Sequence, residues 1–457
     1  MTPPISPERV LPTLNADGSR NRIRPRLYTG RLHSARRATG WALMALFIGL
    51  PFLKIGEKPA IFLDVVHREF SLFGHTFLAT DGVLLMLLML TIFAVVFWTT
   101  ALVGRAWCGW GCPQTVYMEF LFRPIERLFE GKHESQLQLD KQSLSGRRLA
   151  KNAVFLGLSF ALANIFLSYF VGTHALHTWV LEAPSQHMGG FLVVAVTTGL
   201  MFFDFAYFRE QMCTVICPYA RLQSVLLDRR SLLIGYDAKR GEPRSKGKGS
   251  PGNGDCIDCK ACVVACPTGI DIREGLQLEC IACAQCLDAC DSIMARIHKP
   301  SGLIRYASQE SLETGKKSAL LRPRVVVYSV CLLGLLGILT TMLLAKPGAE
   351  VTILRGIGAP FNLSGKNVVN QIRVKVRNRS ASAQNYHIEL SDLKTAQLIA
   401  PEDPLGIPAG EQRTTSIFVL TPAADFVHGT RAVHFRISDQ HGYHNELPYG
   451  LLGPEAP

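Results

Sequence analysis

At 457 residues, 48% hydrophobic and with a mean hydropathy of +0.18, the chain has room for two or three domains, at least one of them in a membrane. Its formal net charge of +12 clusters beside apolar stretches rather than in aromatic-interleaved strips, so nothing motif-like argues for nucleic-acid binding. Of thirteen cysteines twelve fall in motifs, and Cys331, alone in an apolar span, reads as a small packing residue.

Residues 1–38 form a polar arm rich in arginine (Arg20, Arg22, Arg24, Arg26, Arg31, Arg36, Arg37). No small-residue cleavage site follows a short apolar run, so no signal peptide is expected. Five membrane spans are predicted: Thr39–Ile55, Val83–Val103, Ala153–Val171, Gly190–Phe208 and Val325–Ala345, each about long enough to cross the hydrocarbon core. The loops 104–152 and 209–324 are rich in Lys and Arg, whereas 56–81 has only Lys58 and Arg68 and 172–189 has none. The positive-inside rule therefore predicts a cytoplasmic N-terminus, cytoplasmic basic loops and a C-terminus on the far side.

Two short motifs follow the second and fourth spans. The first is R-A-W-C-G-W-G-C-P (Arg105, Cys108, Cys112, Pro113), the second R-E-Q-M-C-T-V-I-C-P (Arg209, Cys213, Cys217, Pro218), 105 residues later. Equivalent places at the ends of spans indicate a parallel internal repeat. On a helix, i and i+4 share a face, so each pair is expected to present two thiolates in one direction, with the proline opening the next helix. Four such thiolates suit Cu(I) or another soft metal, or a dithiol–disulfide cycle, or mere packing of the two repeats. His174, His177, His187 and Met188, with His67 and His75 in the other outer loop, are weaker candidates for copper or haem iron than for ordinary interfacial histidines. Asp204, inside the fourth span, is expected to face the bundle interior.

Residues 239–254 read as a flexible basic linker to a ferredoxin-like unit at 255–300. There C-x-x-C-x-x-C-x-x-x-C-P runs through Cys256, Cys259, Cys262 and Cys266, and the same spacing repeats at Cys280, Cys283, Cys286 and Cys290. Three cysteines of each run can grip one [4Fe–4S] cube while the fourth reaches the other, which predicts Cys256, Cys259, Cys262 and Cys290 for the first cluster and Cys280, Cys283, Cys286 and Cys266 for the second. Zinc knuckles are the competing reading, but zinc sites usually separate two C-x-x-C pairs by a longer spacer. Reduced cysteines in metal spacing again point to the cytoplasm. Asp291 stands where a second proline would follow Cys290.

Residues 350–457 contain no cysteine, and period-two runs such as Ile372–Val374–Val376 and Ile417–Val419 read as strands. Turn signals at Pro408-Ala-Gly, Thr421-Pro and Asp439-Gln-His-Gly complete an immunoglobulin-like β-sandwich. The predicted fold is thus a multidomain membrane protein. A five-helix transmembrane bundle (spans within 39–238 and 325–345) carries an inserted dicluster ferredoxin-like α+β domain and a C-terminal all-β sandwich.

The paired C-x-x-x-C-P motifs at Cys108–Pro113 and Cys213–Pro218, with the eight-cysteine run, resemble the CcoG/FixG/RdxA family of accessory proteins for cbb3-type cytochrome c oxidase. The membrane part is also similar to NapH-type quinol dehydrogenases and the regulator NosR. The resemblance implies an inner-membrane cupric reductase that helps assemble the oxidase's copper centre. A cytoplasmic donor would feed two [4Fe–4S] clusters, with copper, as substrate or ligand, held near Cys108, Cys112, Cys213 and Cys217. It implies oxidase subunits or a copper chaperone as partners of the outer sandwich and leaves a homodimer open. Quinol electron transfer and a non-catalytic assembly scaffold are the alternatives.

Overall fold

The computed structural model describes residues 9–454 apart from 16, 18, 56–57, 67, 78–80, 141–144, 246–253, 316–321, 346, 381 and 392–394. Among the described residues, four helices are long and apolar enough to span a membrane: Gly82–Val103, Gly146–Val171, Met188–Phe208 and Pro323–Leu344. Between 11% and 39% of each apolar window is buried, so most of these helical residues stay at least partly open, as expected of surfaces that meet lipid. The Gly146–Val171 helix starts earlier than expected because the basic first turns, with Arg147, Arg148 and Lys151, continue the same helix.

The predicted first span differs. Its helix runs Arg31–Gly49, so half of it is the basic arm, and the apolar stretch then breaks into a 3-10 turn at Leu50–Phe52 and a strand at Lys54–Ile55. Pro51 within that turn lacks the N–H that would continue an α-helical ladder. About three apolar turns remain in the helix, and the apolar run continues past it through Leu50–Leu53. The described part of the loop 56–81 also carries strands. Ile61–Asp64, Glu69–Leu72 and His75–Phe77 pair as a three-stranded antiparallel sheet.

The chain forms two compact units. One comprises 50–85, 169–173 and 340–457. Its sandwich pairs a sheet built on Ala349–Arg355, Asn367–Asn378, Gln412–Pro422 and Gln397–Ile399 with a second built on Leu405–Ile407, Gln384–Leu390, Thr430–Asp439 and His444–Leu452. Alternation along Asn367–Asn378 buries Val368, Ile372, Val374 and Val376 against Tyr386, Ile388, Val433 and Phe435. Asn370 crosses between the sheets, donating to Leu452 O (3.0 Å) and accepting from Leu452 N (2.9 Å). Pro408–Gly410 and Asp439–Gly442 turn as expected, but Thr421–Pro422 does not; the Gln412–Pro422 strand runs through it. Within this unit Glu69 and Asp81 pair with Arg377 and Arg379.

The other unit comprises 1–49, 86–168 and 174–339. Here the ferredoxin-like region is not tethered at a distance. Leu233–Tyr236 pairs with Ile304–Ala307 on either side of it, and the start of the expected linker is the short helix Ala238–Gly241, held by Arg240 on Asp255 (2.5 Å). The middle of that linker, 246–253, lies outside the described residues.

A buried ionic network holds the arm to this unit, and charge composition alone does not reveal it. Glu126 accepts from Arg24 (2.5 Å) and from Arg209 (2.9 and 2.7 Å), with Lys151 3.7 Å away. Arg24 also reaches Asp140 (3.0 and 2.9 Å) and Glu130 (3.3 Å), and Arg20 takes Glu210 (3.1 Å). Burial alone would raise the Glu126 carboxyl, but Arg209 and Arg24, then Lys151, hold it well below its ordinary value of 4.5. A depressed carboxyl contributes stability that is fully present above the unfolded value and is lost only as pH falls toward the folded one. Glu126→Gln leaves two buried guanidinium groups short of their shared charge. It is expected to cost about 3 kcal/mol, the lower end for breaking a buried pair. Thermal unfolding of the detergent-solubilised variant at neutral pH checks this; an unchanged midpoint contradicts it.

Candidate iron–sulfur and thiol centre

The two ferredoxin loops repeat each other in backbone as well as in sequence. Asp258 and Lys260 in the first, and Ala282 and Ala284 in the second, occupy the left-handed region at matched places between cysteines. The loops thereby turn their sulfurs inward. Ala261, Ala265 and Ala289 pack against one another with Tyr28 and Ile293, where larger side chains would force the loops apart.

The cysteines gather around two cavities. One is lined by Cys262, Cys266, Cys280, Cys283 and Cys286; the other is lined by Cys256, Cys259, Cys262 and Cys290. The donor sets are all thiol: Cys280, Cys283 and Cys286 share their cavity with Cys266 of the first run, Cys256, Cys259 and Cys262 share theirs with Cys290 of the second, and Cys262 lines both. This fits a pair of cubane clusters, because each wall offers four sulfurs around a space. Cys286 and Cys290 sit one turn apart on the helix Gln285–Arg296, which continues through Asp291. A proline at 291 would break that helix, whereas Cys266–Pro267 follows the end of the short helix Ala261–Val264. Asp291 instead accepts from Gly302 N (2.8 Å) and fastens the strand that follows.

The paired motifs close on the same place. Cys112 and Cys217 are both extended, each ahead of a proline that opens a helix, and each N–H donates five residues back, to Trp107 O (2.9 Å) and Met212 O (2.8 Å). The repeat is thus real in backbone geometry, but the pairs do not share one continuous helix. Cys108 lies on the helix Ala106–Trp110 and Cys213 on the π-turn Met212–Ile216. A residue before proline is driven from the helical region, so the second cysteine leaves the helix in each case. All four thiols nonetheless lie within electrostatic reach of one another. Burial pushes the Cys108 thiol up to about 11 against the pull of Arg105, and burial pushes Cys213 up as well. Both are thiols at neutral pH until a metal or a redox step takes the proton.

This thiol tetrad abuts the second ferredoxin loop. Cys108 packs with Ile281 and Cys283, with Cys213 and Tyr219 alongside. A Cβ on Gly109 would stand 2.6 Å from Ile281 O and 2.8 Å from Cys283 N, so the two backbones touch. Trp110 Nε1 donates to Tyr306 Oη (3.0 Å), which donates to Ala282 O (2.7 Å), and Arg105 donates to Leu278 O. Arg36 is fully buried and donates to Gly109 O (2.9 Å), and Asp288 accepts from His33 N (2.6 Å) and Leu32 N (3.3 Å) at the start of the Arg31–Gly49 helix. Gln223, which accepts from Cys108 Sγ (3.0 Å), and Gly109 carry no sequence signal of their own. The glycine of C-G-W-G-C-P becomes informative only once its neighbour is known.

The outer histidines do not assemble into a site. Among the described residues, no group of three His, Cys, Asp or Glu side chains, the outer histidines and the thiol tetrad alike, is gathered closely enough to hold a single metal ion. His187 pairs with Glu182 (2.6 Å) and stacks on Trp179; His67 lies outside the described residues, as does the side chain of His75. Asp204 is half-buried at the end of its span, with Oδ1 lacking a partner.

Family comparisons agree with this geometry. Residues 208–309 match a 4Fe-4S dicluster domain, 85–132 a 4Fe-4S binding domain, and 339–454 the IG-like fold at the C-terminus of FixG. The chain is 34% identical to protein RdxA of Cereibacter sphaeroides (81% of this chain, 82% of that protein) and 32% identical to protein RdxB of the same organism (92% and 93%). The chain belongs to the CcoG/FixG/RdxA family. The nitrogen fixation protein FixG of Rhizobium meliloti is 36% identical over 63% of this chain and 57% of its own length. As a member of this family the chain is a membrane-bound iron–sulfur electron-transfer protein with an immunoglobulin-like C-terminal domain. The crossing of Cys290 to the first run makes a sharp prediction. Cys290→Ser should lower the iron content of anaerobically purified protein by about half while leaving the Cys266, Cys280, Cys283 and Cys286 set filled. Iron analysis with low-temperature electron paramagnetic resonance reads this; loss of both signals, or of neither, contradicts it.

Proposed function

We propose that the chain is a cupric reductase serving assembly of the copper centre of cbb3-type cytochrome c oxidase. Cys256, Cys259, Cys262 and Cys290 hold one [4Fe–4S] cluster, and Cys280, Cys283, Cys286 and Cys266 the other. When bound, the clusters supply one-electron transfer, which matches the reduction of Cu(II) to Cu(I) by a single electron. The substrate copper is reduced beside Cys108, Cys112, Cys213 and Cys217, whose soft sulfurs favour the Cu(I) product. The observation that carries the reading is the backbone contact of Gly109 with Ile281 and Cys283, which sets Cys108 directly against the second cysteine set. Arg36 and Asp288 keep the two loops in register from the arm side.

The N-terminus and the clusters lie on the cytoplasmic side, and the sandwich lies in the periplasm. A cytoplasmic donor supplies the electrons, and the sandwich docks oxidase subunits or a copper chaperone. The charge asymmetry of the loops and the thiol chemistry of the cluster region support this orientation.

Protein purified without oxygen and reduced at its clusters is mixed with Cu(II), and Cu(I) is trapped with a chelating dye. The expected outcome is Cu(I) from the native chain and none from the variant with Cys108, Cys112, Cys213 and Cys217 all changed to Ser, at equal cluster content. Equal rates in both exclude the tetrad, and no Cu(I) from either rejects the reductase reading.

A further inference from the structure

Arg36, contributed by the basic arm, is fully buried, and its Nη1 and Nη2 have no hydrogen-bond partner. Nε alone is bonded, to Gly109 O (2.9 Å), and the guanidinium carbon stands 5.5 Å from the centre of the Phe120 ring. A charge taken out of water in this way is costly unless an opposite charge faces it. The neighbouring carboxylates are already engaged. The charged groups about His33, one turn earlier on the same helix, are Arg36, Glu119, Arg37 and Asp288. Glu119 pairs with Arg123, and Asp288 accepts from His33 N (2.6 Å) and Leu32 N (3.3 Å).

What Arg36 does face is the second cysteine set. The carbonyl it holds belongs to Gly109, where a Cβ would stand 2.8 Å from both Cys283 N and Cys283 Cα. Burial pushes the Cys283 thiol up to about 12, and Arg36 is the strongest pull in the other direction. Arg105 bears on Cys280, but on Cys108 as well, so its charge is shared with the tetrad. The first cysteine set is balanced differently. Its buried cation, Arg273, pulls on Cys262 but is paired with Asp258 and Asp271, both at 2.6 Å. Asp291 adds a negative charge beside Cys290, and Lys260, which borders the first cavity, is exposed to water that screens it.

We infer that Arg36 is the resident counter-charge of the second iron–sulfur site, and that its guanidinium raises the reduction potential of the cluster held by Cys266, Cys280, Cys283 and Cys286. Four thiolates around such a cluster make a net anion, and the uptake of one electron makes it more negative. A fixed cation in surroundings of low dielectric stabilises the reduced form more than the oxidised one. One electron arrives and no proton moves with it, because a guanidinium stays charged throughout. The electron is thereby favoured on the side of Cys108, where one Cu(II) takes it and becomes one Cu(I). The effect on potential rests on the cluster assignment; its use in delivery to copper rests on the reductase reading above.

The test is a redox titration of the full chain in detergent, without oxygen, with both clusters followed by low-temperature electron paramagnetic resonance. Arg36→Met removes the charge and keeps an apolar stem over Phe120, Arg36→Gln removes it and keeps an N–H donor, and Arg36→Lys keeps the charge. Both neutral variants are expected to hold native iron and to lower one midpoint by about 59 mV or more, a tenfold change for one electron, with the other moved far less. Lysine is expected to restore at least half of that fall. The Cys290→Ser protein, which keeps the second set, assigns the shifted midpoint. Unchanged midpoints in the neutral variants overturn the inference, as does an equal fall of both or a fall confined to the cluster that Cys290→Ser removes. Loss of iron from both neutral variants, or a lysine variant that falls as far as glutamine, overturns it in favour of a purely structural role. A shifted midpoint in protein whose reduced clusters do not convert Cu(II) upholds the charge effect and rejects the reductase reading.

Discussion

The structure depends on the absence of a side chain at Gly109. Its backbone lies against Ile281 O and the Cys283 backbone so closely that no Cβ fits. The C-x-x-x-C-P loops and the ferredoxin loops, although distant in sequence, thereby form one body. Hydrogen bonds from Trp110 through Tyr306 to Ala282, and from Arg105 to Leu278, surround that contact. Each is a modest interaction, but all converge on one interface between the two cysteine sets. Electron transfer requires such closeness, and a close-packed backbone contact provides it without moving parts.

The arm explains how a highly charged N-terminal segment serves this interface. Three of its arginines, Arg20, Arg24 and Arg36, are used within the fold, while Arg22, Arg26, Arg31 and Arg37 stay exposed. Arg24 enters the carboxylate cluster of Glu126, Glu130 and Asp140, and Arg36 lies over Phe120 with its Nε on Gly109 O. Buried ion pairs contribute little net stability for the charges they desolvate, but removing one partner is costly. The network therefore constrains where the arm lies more than it strengthens the fold. The position it enforces brings Asp288 to the start of the Arg31–Gly49 helix and Arg26 N to Val264 O (2.9 Å), beside both cysteine runs.

Much of this was legible in the sequence because the cysteines carry their own spacing rules. The crossing of Cys266 and Cys290 between the two runs follows from the reach of a three-residue loop, and the cavities are lined accordingly. The strands at Ile372–Val376 and Ile417–Val419 were visible because one face of a sandwich is buried at every second residue. Three things were not legible. Pro51 ends the Arg31–Gly49 helix part-way along an apolar run, which a hydropathy window averages over. The prolines after Cys112 and Cys217 moved those cysteines off the helices that i, i+4 spacing implied. The pairing of Arg24 and Arg209 with Glu126 joins residues about a hundred positions apart, and no local pattern encodes it.

The contact at Gly109 is also where the account is most exposed to test. Gly109→Ala adds a single methyl group that must push the tetrad away from Ile281 and Cys283, without touching any cysteine. Stopped-flow re-oxidation of pre-reduced clusters by Cu(II), in native and variant protein of equal iron content, measures the consequence directly. A severalfold slower rate in the variant, with an unchanged cluster spectrum, is the predicted result. An unchanged rate would mean that electrons leave by another route and that the contact is structural only.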